Sequence, residues 1–186
     1  MGDALDPRAR RTRQAILAAF TALVLHRRYD AIRTADLIAA AGIGRSTFYE
    51  HFHSKDAVLV AAVEPILHTF ASAALGRASP AQVRATLDHV WEQRGVARVL
   101  FEGRTGDRLQ RRLAALIGER LDASATMLAM AATAAQLVML RLWLRGEVAC
   151  PPAELAARMI TCSHLLTNQS GAPAKAGAQN HKRFAP

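Results

Sequence analysis

Arg45, Ser46, Thr47, Tyr49, His51, His53 and Lys55 all fall within one short run, GIGRSTFYEHFHSKDAV (42–58). Histidine pairs hold metals, a serine beside a histidine suggests a nucleophile with its base, and hydroxyls mixed with basic side chains suit a nucleic acid. Spacing separates these chemistries. Two residues apart on a helix point about 200° from one another, so His51 and His53 cannot share an ion and no metal is expected. Ser46 and Thr47 have neither a carboxylate to orient a histidine base nor an oxyanion arrangement nearby, so no catalytic set forms and an enzyme is not expected. Neither GxGxxG nor GxxxxGK occurs anywhere in the chain, so no nucleotide cofactor is implied.

The elements that must position this run are helical. In RRTRQAILAAFTALVLHRRYD, Ile16, Leu17, Phe20, Leu23 and Val24 fall on one stripe, which predicts a first helix over about 8–27. Arg8, Arg10, Arg11 and Arg13 open it, against the helix dipole, which a nearby phosphate backbone would explain. TADLIAAAG then reads as a short second helix, with Thr34 as its cap, Asp36 in its first turn and Gly42 as its stop. After Ile43 and Gly44, RSTFYEHF begins a third helix. Phe48 and Phe52 are four apart and face inward, which leaves Arg45, Ser46, Thr47, Tyr49, Glu50 and His51 outside. Two short helices joined by a tight glycine turn, with polar groups opening the second, make a helix-turn-helix that can press side chains into the major groove. Ser54 caps a fourth helix, whose first amides and Lys55 are placed to hold a phosphate.

Composition agrees with an anionic partner. The 186 residues carry a formal charge of +9 and are 51% hydrophobic, enough for a substantial core. Arginine far outnumbers lysine, which suits planar contacts to phosphate. Residues 1–55 hold nine Lys/Arg against five Asp/Glu, while 56–170 hold twelve against ten. Cys150 and Cys162 are the only cysteines, too few for a disulfide framework, and MGDALDPRARRTRQ does not read as a secretory signal. A cytoplasmic setting is expected.

The run AAGIGRSTFYEHFHSKDAVL (40–59), the amphipathic first helix and the Thr34-led second helix resemble the TetR family of transcriptional regulators. The resemblance is close over about 8–60 and extends beyond only as a general helical plan. It implies a phosphate contact at Thr34, base-edge contacts at Arg45, Ser46 and Thr47, phosphate and groove contacts at Tyr49 and His51, and a backbone phosphate at Lys55. Glu50 is unusual on such a surface. Gly44 stands where the family often has Ser, which removes a capping hydroxyl from the recognition helix.

Past residue 60 the pattern stays helical. The fourth helix is expected to reach about residue 75 through Pro65, a candidate kink. PAQVRATLDHVWEQRG (80–95), VARVLFEG and DRLQRRLAALIGERLDA follow, the last with Arg108, Arg111, Arg112 and Arg120 as a solvated face. SATMLAMAATAAQLVMLRLWLRGE is apolar around most of its circumference, yet Gln136 and Arg141 interrupt it. A core or subunit interface is expected for it, and no membrane. PPAELAARMITCSHLLTN closes the helical part, and SGAPAKAGAQNHKRFAP reads as a flexible basic tail.

The expected fold is therefore all-α: a helix-turn-helix DNA-binding domain (8–54), a larger helical ligand-binding and dimerisation domain (55–169) and a tail (170–186). The resemblance implies that the last two helices pair with their copies into a four-helix homodimer interface, and that a small-molecule effector in this domain alters DNA affinity. Trp91, Phe101, Met127, Met130 and Trp143 are the candidate pocket residues, because large adaptable apolar groups suit a hydrophobic ligand. The expected function is a dimeric repressor on double-stranded DNA, released from a palindromic operator by its effector. The competing reading is a helical ligand-binding or protein-interaction module without sequence-specific DNA binding.

Overall fold

A computed structural model describes residues 6–121 and 126–168, the last five by backbone only. Among the described residues there are nine α-helices and one short 3-10 turn, and no strand. They are α1 (Pro7–His26), the 3-10 turn Tyr29–Ala31, α2 (Thr34–Ala41), α3 (Arg45–His51), α4 (Lys55–Ala74), α5 (Pro80–Glu92), α6 (Arg94–Leu100), α7 (Gly103–Gly118), α8 (Thr126–Arg145) and α9 (Pro152–Asn168). The basic tail read from the sequence lies outside the described residues.

Helices α1 to α3 form a small head. Its core is Ile16, Phe20, Ile32, Leu37, Phe48 and Phe52, all buried. Phe48 and Phe52 pack with ring centroids 6.3 Å apart, as their spacing predicts. The helix ends follow local chemistry. Asp6 caps α1 by accepting from the Arg8 amide at 3.1 Å, placing a carboxylate at the dipole's positive end ahead of the arginines. Thr34 is the first residue of α2 rather than its cap: the flanking position is Arg33, whose backbone N–H donates to Asp36 at 2.7 Å. That amide holds the Asp36 carboxyl below its usual range, with Arg27 adding to the effect.

Helix α4 leaves the head and becomes the central helix of the larger body. It packs against α1, α5, α7, α8 and α9 and buries Val58, Leu59, Val63, Leu67 and Phe70. Each such side chain contributes about 1.5–3 kcal/mol when fully buried, so α4 unites head and body more strongly than any surface pair could. The helix continues through Pro65. Ser79 and Pro80 open α5 with a capping box to Gln82, in keeping with the proline-first reading.

Both α4 and α8 are long and apolar enough to cross a membrane by length and composition. Each nonetheless carries eight buried residues and packs against several neighbouring helices. Helix α7 is not simply a solvated arginine face. Arg108 reaches Asp56 and Arg112 reaches Glu64, so two of its three named arginines bind α7 to α4, while Arg120, just past its end, donates to the Leu116 carbonyl at 2.6 Å.

Candidate nucleic-acid interface

The reading surface is built by the turn between α2 and α3. Gly42 adopts φ 65°, a left-handed conformation that glycine enters without a steric penalty. Its N–H donates to the Ala39 carbonyl at 3.2 Å and the Ile43 N–H to Ile38 at 3.3 Å, closing α2 in a Schellman pattern. Gly44 precedes α3 and contributes no side-chain cap, so α3 starts at Arg45. The connection between α2 and α3 is thus only three residues long, and the buried Phe48 sets the rotation of α3.

With Phe48 inward, Arg45, Ser46, Tyr49 and Glu50 are exposed and Thr47 and His51 are half-buried. Tyr49 is 47% exposed, an unusual position for a tyrosine unless its hydroxyl meets something beyond the molecule. The Arg45 guanidinium lies 5.7 Å from the Tyr49 ring centroid, and no carboxylate among the described residues pairs with it. Donors, hydroxyls and an aromatic with a polar tip therefore project from one short helix, the arrangement that reads base edges and phosphates. Thr34 is half-buried at the start of α2. Arg8, Arg10 and Arg11 are exposed at the start of α1, and none forms an ion pair among the described residues.

Lys55 faces inward. Its Nζ donates to the Tyr29 carbonyl at 3.0 Å and to the Ile32 carbonyl at 2.8 Å, and it lies 4.4 Å from the Tyr29 ring centroid. Two of its three donors are thus used within the head. Beside it the Tyr29 hydroxyl donates to Asp56, whose other oxygen receives Arg108 of α7 at 2.9 Å. Burial raises the Tyr29 hydroxyl well above its usual range, and the bond to Asp56 raises it further. This Tyr29–Asp56–Arg108 chain joins head, α4 and body, and the sequence reading missed it. No local spacing marks it, because Tyr29 and Asp56 are 27 positions apart.

The five candidate pocket residues differ in exposure. Phe101 and Trp143 are buried in the body, each 2% exposed, whereas Met127 and Met130 are 83% and 61% exposed on α8. Trp91 is 38% exposed and packs on Trp143 with centroids 4.5 Å apart. Deeper in the body, the Thr133 hydroxyl oxygen and the Gln136 carbonyl oxygen are buried without a hydrogen-bond partner among the described residues. No group of three His, Cys, Asp or Glu that could hold a metal occurs among them.

A helix-turn-helix head with an exposed recognition helix on a larger helical body is the architecture of a transcriptional regulator. Residues 16–62 match the model of the bacterial regulatory proteins of the tetR family. Among solved structures, a TetR transcriptional regulator from Streptococcus agalactiae 2603V aligns at 23% identity and a TM-score of 0.54, over 84% of this chain and 95% of its own. The dihydroxyacetone kinase operon activator DhaS aligns at 18% identity and a TM-score of 0.50, over 85% and 95%. Thermus thermophilus FadR, a TetR family transcriptional repressor in complex with lauroyl-CoA, aligns at 16% identity and a TM-score of 0.49, over 91% and 100%. No curated protein matches the chain. The head is thus a TetR-type DNA-binding domain and the whole chain has a TetR-like fold, as the sequence resemblance implied.

Proposed function

We propose that the protein is a homodimeric, cytoplasmic repressor that reads a palindromic operator in double-stranded DNA and leaves it when a small molecule binds the helical body. The observation that carries DNA reading is the outward face of α3: Arg45, Ser46 and Tyr49 exposed on a helix whose rotation is set by buried Phe48. In this reading Arg45, Ser46 and Thr47 meet base edges, and Tyr49, His51 and Thr34 meet phosphates and the groove wall. Lys55 takes part as the anchor that seats the α4 N-terminus under the head, two of its donors being committed to carbonyls.

Dimerisation is supported by the outer face of α8. Met127, Met130 and Val138 are 83%, 61% and 49% exposed along it, an apolar stripe that a second copy would cover. Two heads held about 34 Å apart read two half-sites one turn apart. A ligand within the body is supported by Thr133 and Gln136, since leaving a buried polar atom unpaired costs about 1–3 kcal/mol that a bound molecule would recover. Met127 and Met130 belong to the dimer stripe in this account rather than to a pocket.

The test is fluorescence anisotropy of labelled duplex DNA across a salt series. A dimeric reader gives an affinity falling linearly with salt on logarithmic axes, and Arg45→Ala reduces the preference for its best site over a scrambled duplex by about 1–3 kcal/mol. Binding insensitive to salt, or a preference untouched by Arg45→Ala, would overturn the reading.

A further inference from the structure

A cleft of about 720 Å³ lies between head and body, walled by α1, the end of α3, α4 and α7. Its apolar lining comes from Leu17, Phe52, Val60, Ala61 and Pro65. Five fully charged side chains also line it, and four are already matched: Arg108 with Asp56 and Arg112 with Glu64. The fifth, Arg13, has no carboxylate partner among the described residues and lies 4.4 Å from the Phe52 ring centroid. His51 and His53 line the same cleft, and neither has an ion-pair partner among the described residues. His68, also on the wall, is taken by Glu64 at 3.5 Å.

We propose that this cleft binds an apolar monoacid, a molecule with a hydrophobic body on the Leu17–Val60–Pro65 lining and one anionic group at Arg13, with ring N–H groups of His51 and His53 as further donors. The volume lies in the range of small-molecule sites, and one uncompensated guanidinium at an apolar lining selects a single negative charge. Two walls of the cleft belong to the machinery described above. His51 is a proposed DNA contact, and Arg108 holds Asp56 and through it Tyr29. An acid seated there draws on His51 and competes with Asp56 for Arg108, which loosens the head from the body. That regulatory consequence rests on the DNA-reading proposal; the binding itself does not.

Calorimetric titration without DNA separates the two. The probe is 2-naphthoate, with the neutral 2-naphthalenemethanol as control, on the full chain, Arg13→Gln and Ala61→Phe, each checked for folding by circular dichroism. Expected is binding of naphthoate about tenfold or more tighter than the alcohol, a difference erased by Arg13→Gln. Ala61→Phe, which fills the cleft, should abolish binding of both. Should Ala61→Phe fail to fold, Arg13→Gln with the charge comparison decides alone. No naphthoate binding, equal binding of the alcohol, or binding unchanged in a folded variant overturns the inference, while the salt-dependent DNA assay remains free to succeed or fail by itself.

Discussion

Replacing Lys55 by methionine keeps the aliphatic stem and removes the ammonium, which separates two roles for this residue. As an anchor, Lys55 donates to the Tyr29 and Ile32 carbonyls at 3.0 and 2.8 Å. Hydrogen bonds from a charged donor contribute about 1.5–3 kcal/mol each. Lys55 is half-buried, so water can reach the freed carbonyls, and the two bonds together are worth about 2 kcal/mol rather than their sum. For a chain of this size that lowers the melting temperature by about 4–8 °C. As a phosphate ligand, Lys55 would instead leave stability nearly unchanged and carry one phosphate's share of the salt dependence, about 0.9 in the logarithmic slope. Thermal unfolding by circular dichroism and anisotropy across a salt series read the two quantities on one variant. The geometry predicts the melting shift with an unchanged slope. An unshifted melt together with a slope lowered by about one would refute the anchor.

Gly106→Ala places a Cβ 2.2 Å from the Phe101 carbonyl oxygen, which also accepts from Arg141 Nε at 2.8 Å, so α7 must shift away; a loss of about 3 kcal/mol in urea unfolding is expected, and a loss below about 1 would contradict the close approach. The Tyr29 hydroxyl is raised above its unfolded value near 10 by burial and by Asp56. Its contribution to stability is therefore complete below that pH and declines as pH rises beyond it, so Tyr29→Phe should flatten the alkaline loss of stability, and a variant that still follows the parent curve would count against the Asp56 contact. Tyr49→Phe should weaken all duplexes similarly with little change in melting temperature, as its side chain is 47% exposed; unchanged affinity across salt would remove its hydroxyl from the phosphate contacts.

The head was the most legible part of the chain because its signals are local. The stripe through Ile16 and Phe20, the stop at Gly42 and the four-residue spacing of Phe48 and Phe52 each act within one or two helical turns, and the structure follows all three. The α2 cap lies one position before Thr34, since the box is closed by the Arg33 amide and Asp36 rather than by a hydroxyl. Lys55 illustrates a different limit. Its place at the start of α4 suits either a phosphate or the two carbonyls, and only the path of the 3-10 turn decides that the carbonyls are within reach. The links from α7 to α4 through Arg108 and Arg112 join residues distant in sequence, so periodicity could mark those arginines only as off the apolar face. In α8, apolarity runs nearly all round the helix, and sequence cannot divide what its own body covers, such as Trp143, from what stays uncovered, such as Met127.

The central claim, a paired sequence reader, is tested most directly by selecting bound sites from random duplex DNA with the purified full chain and sequencing them. The account predicts an inverted repeat whose half-site centres lie about one helical turn apart, with enrichment lost in Arg45→Ala. Enrichment of no motif, or of a motif that Arg45→Ala selects equally well, would contradict it.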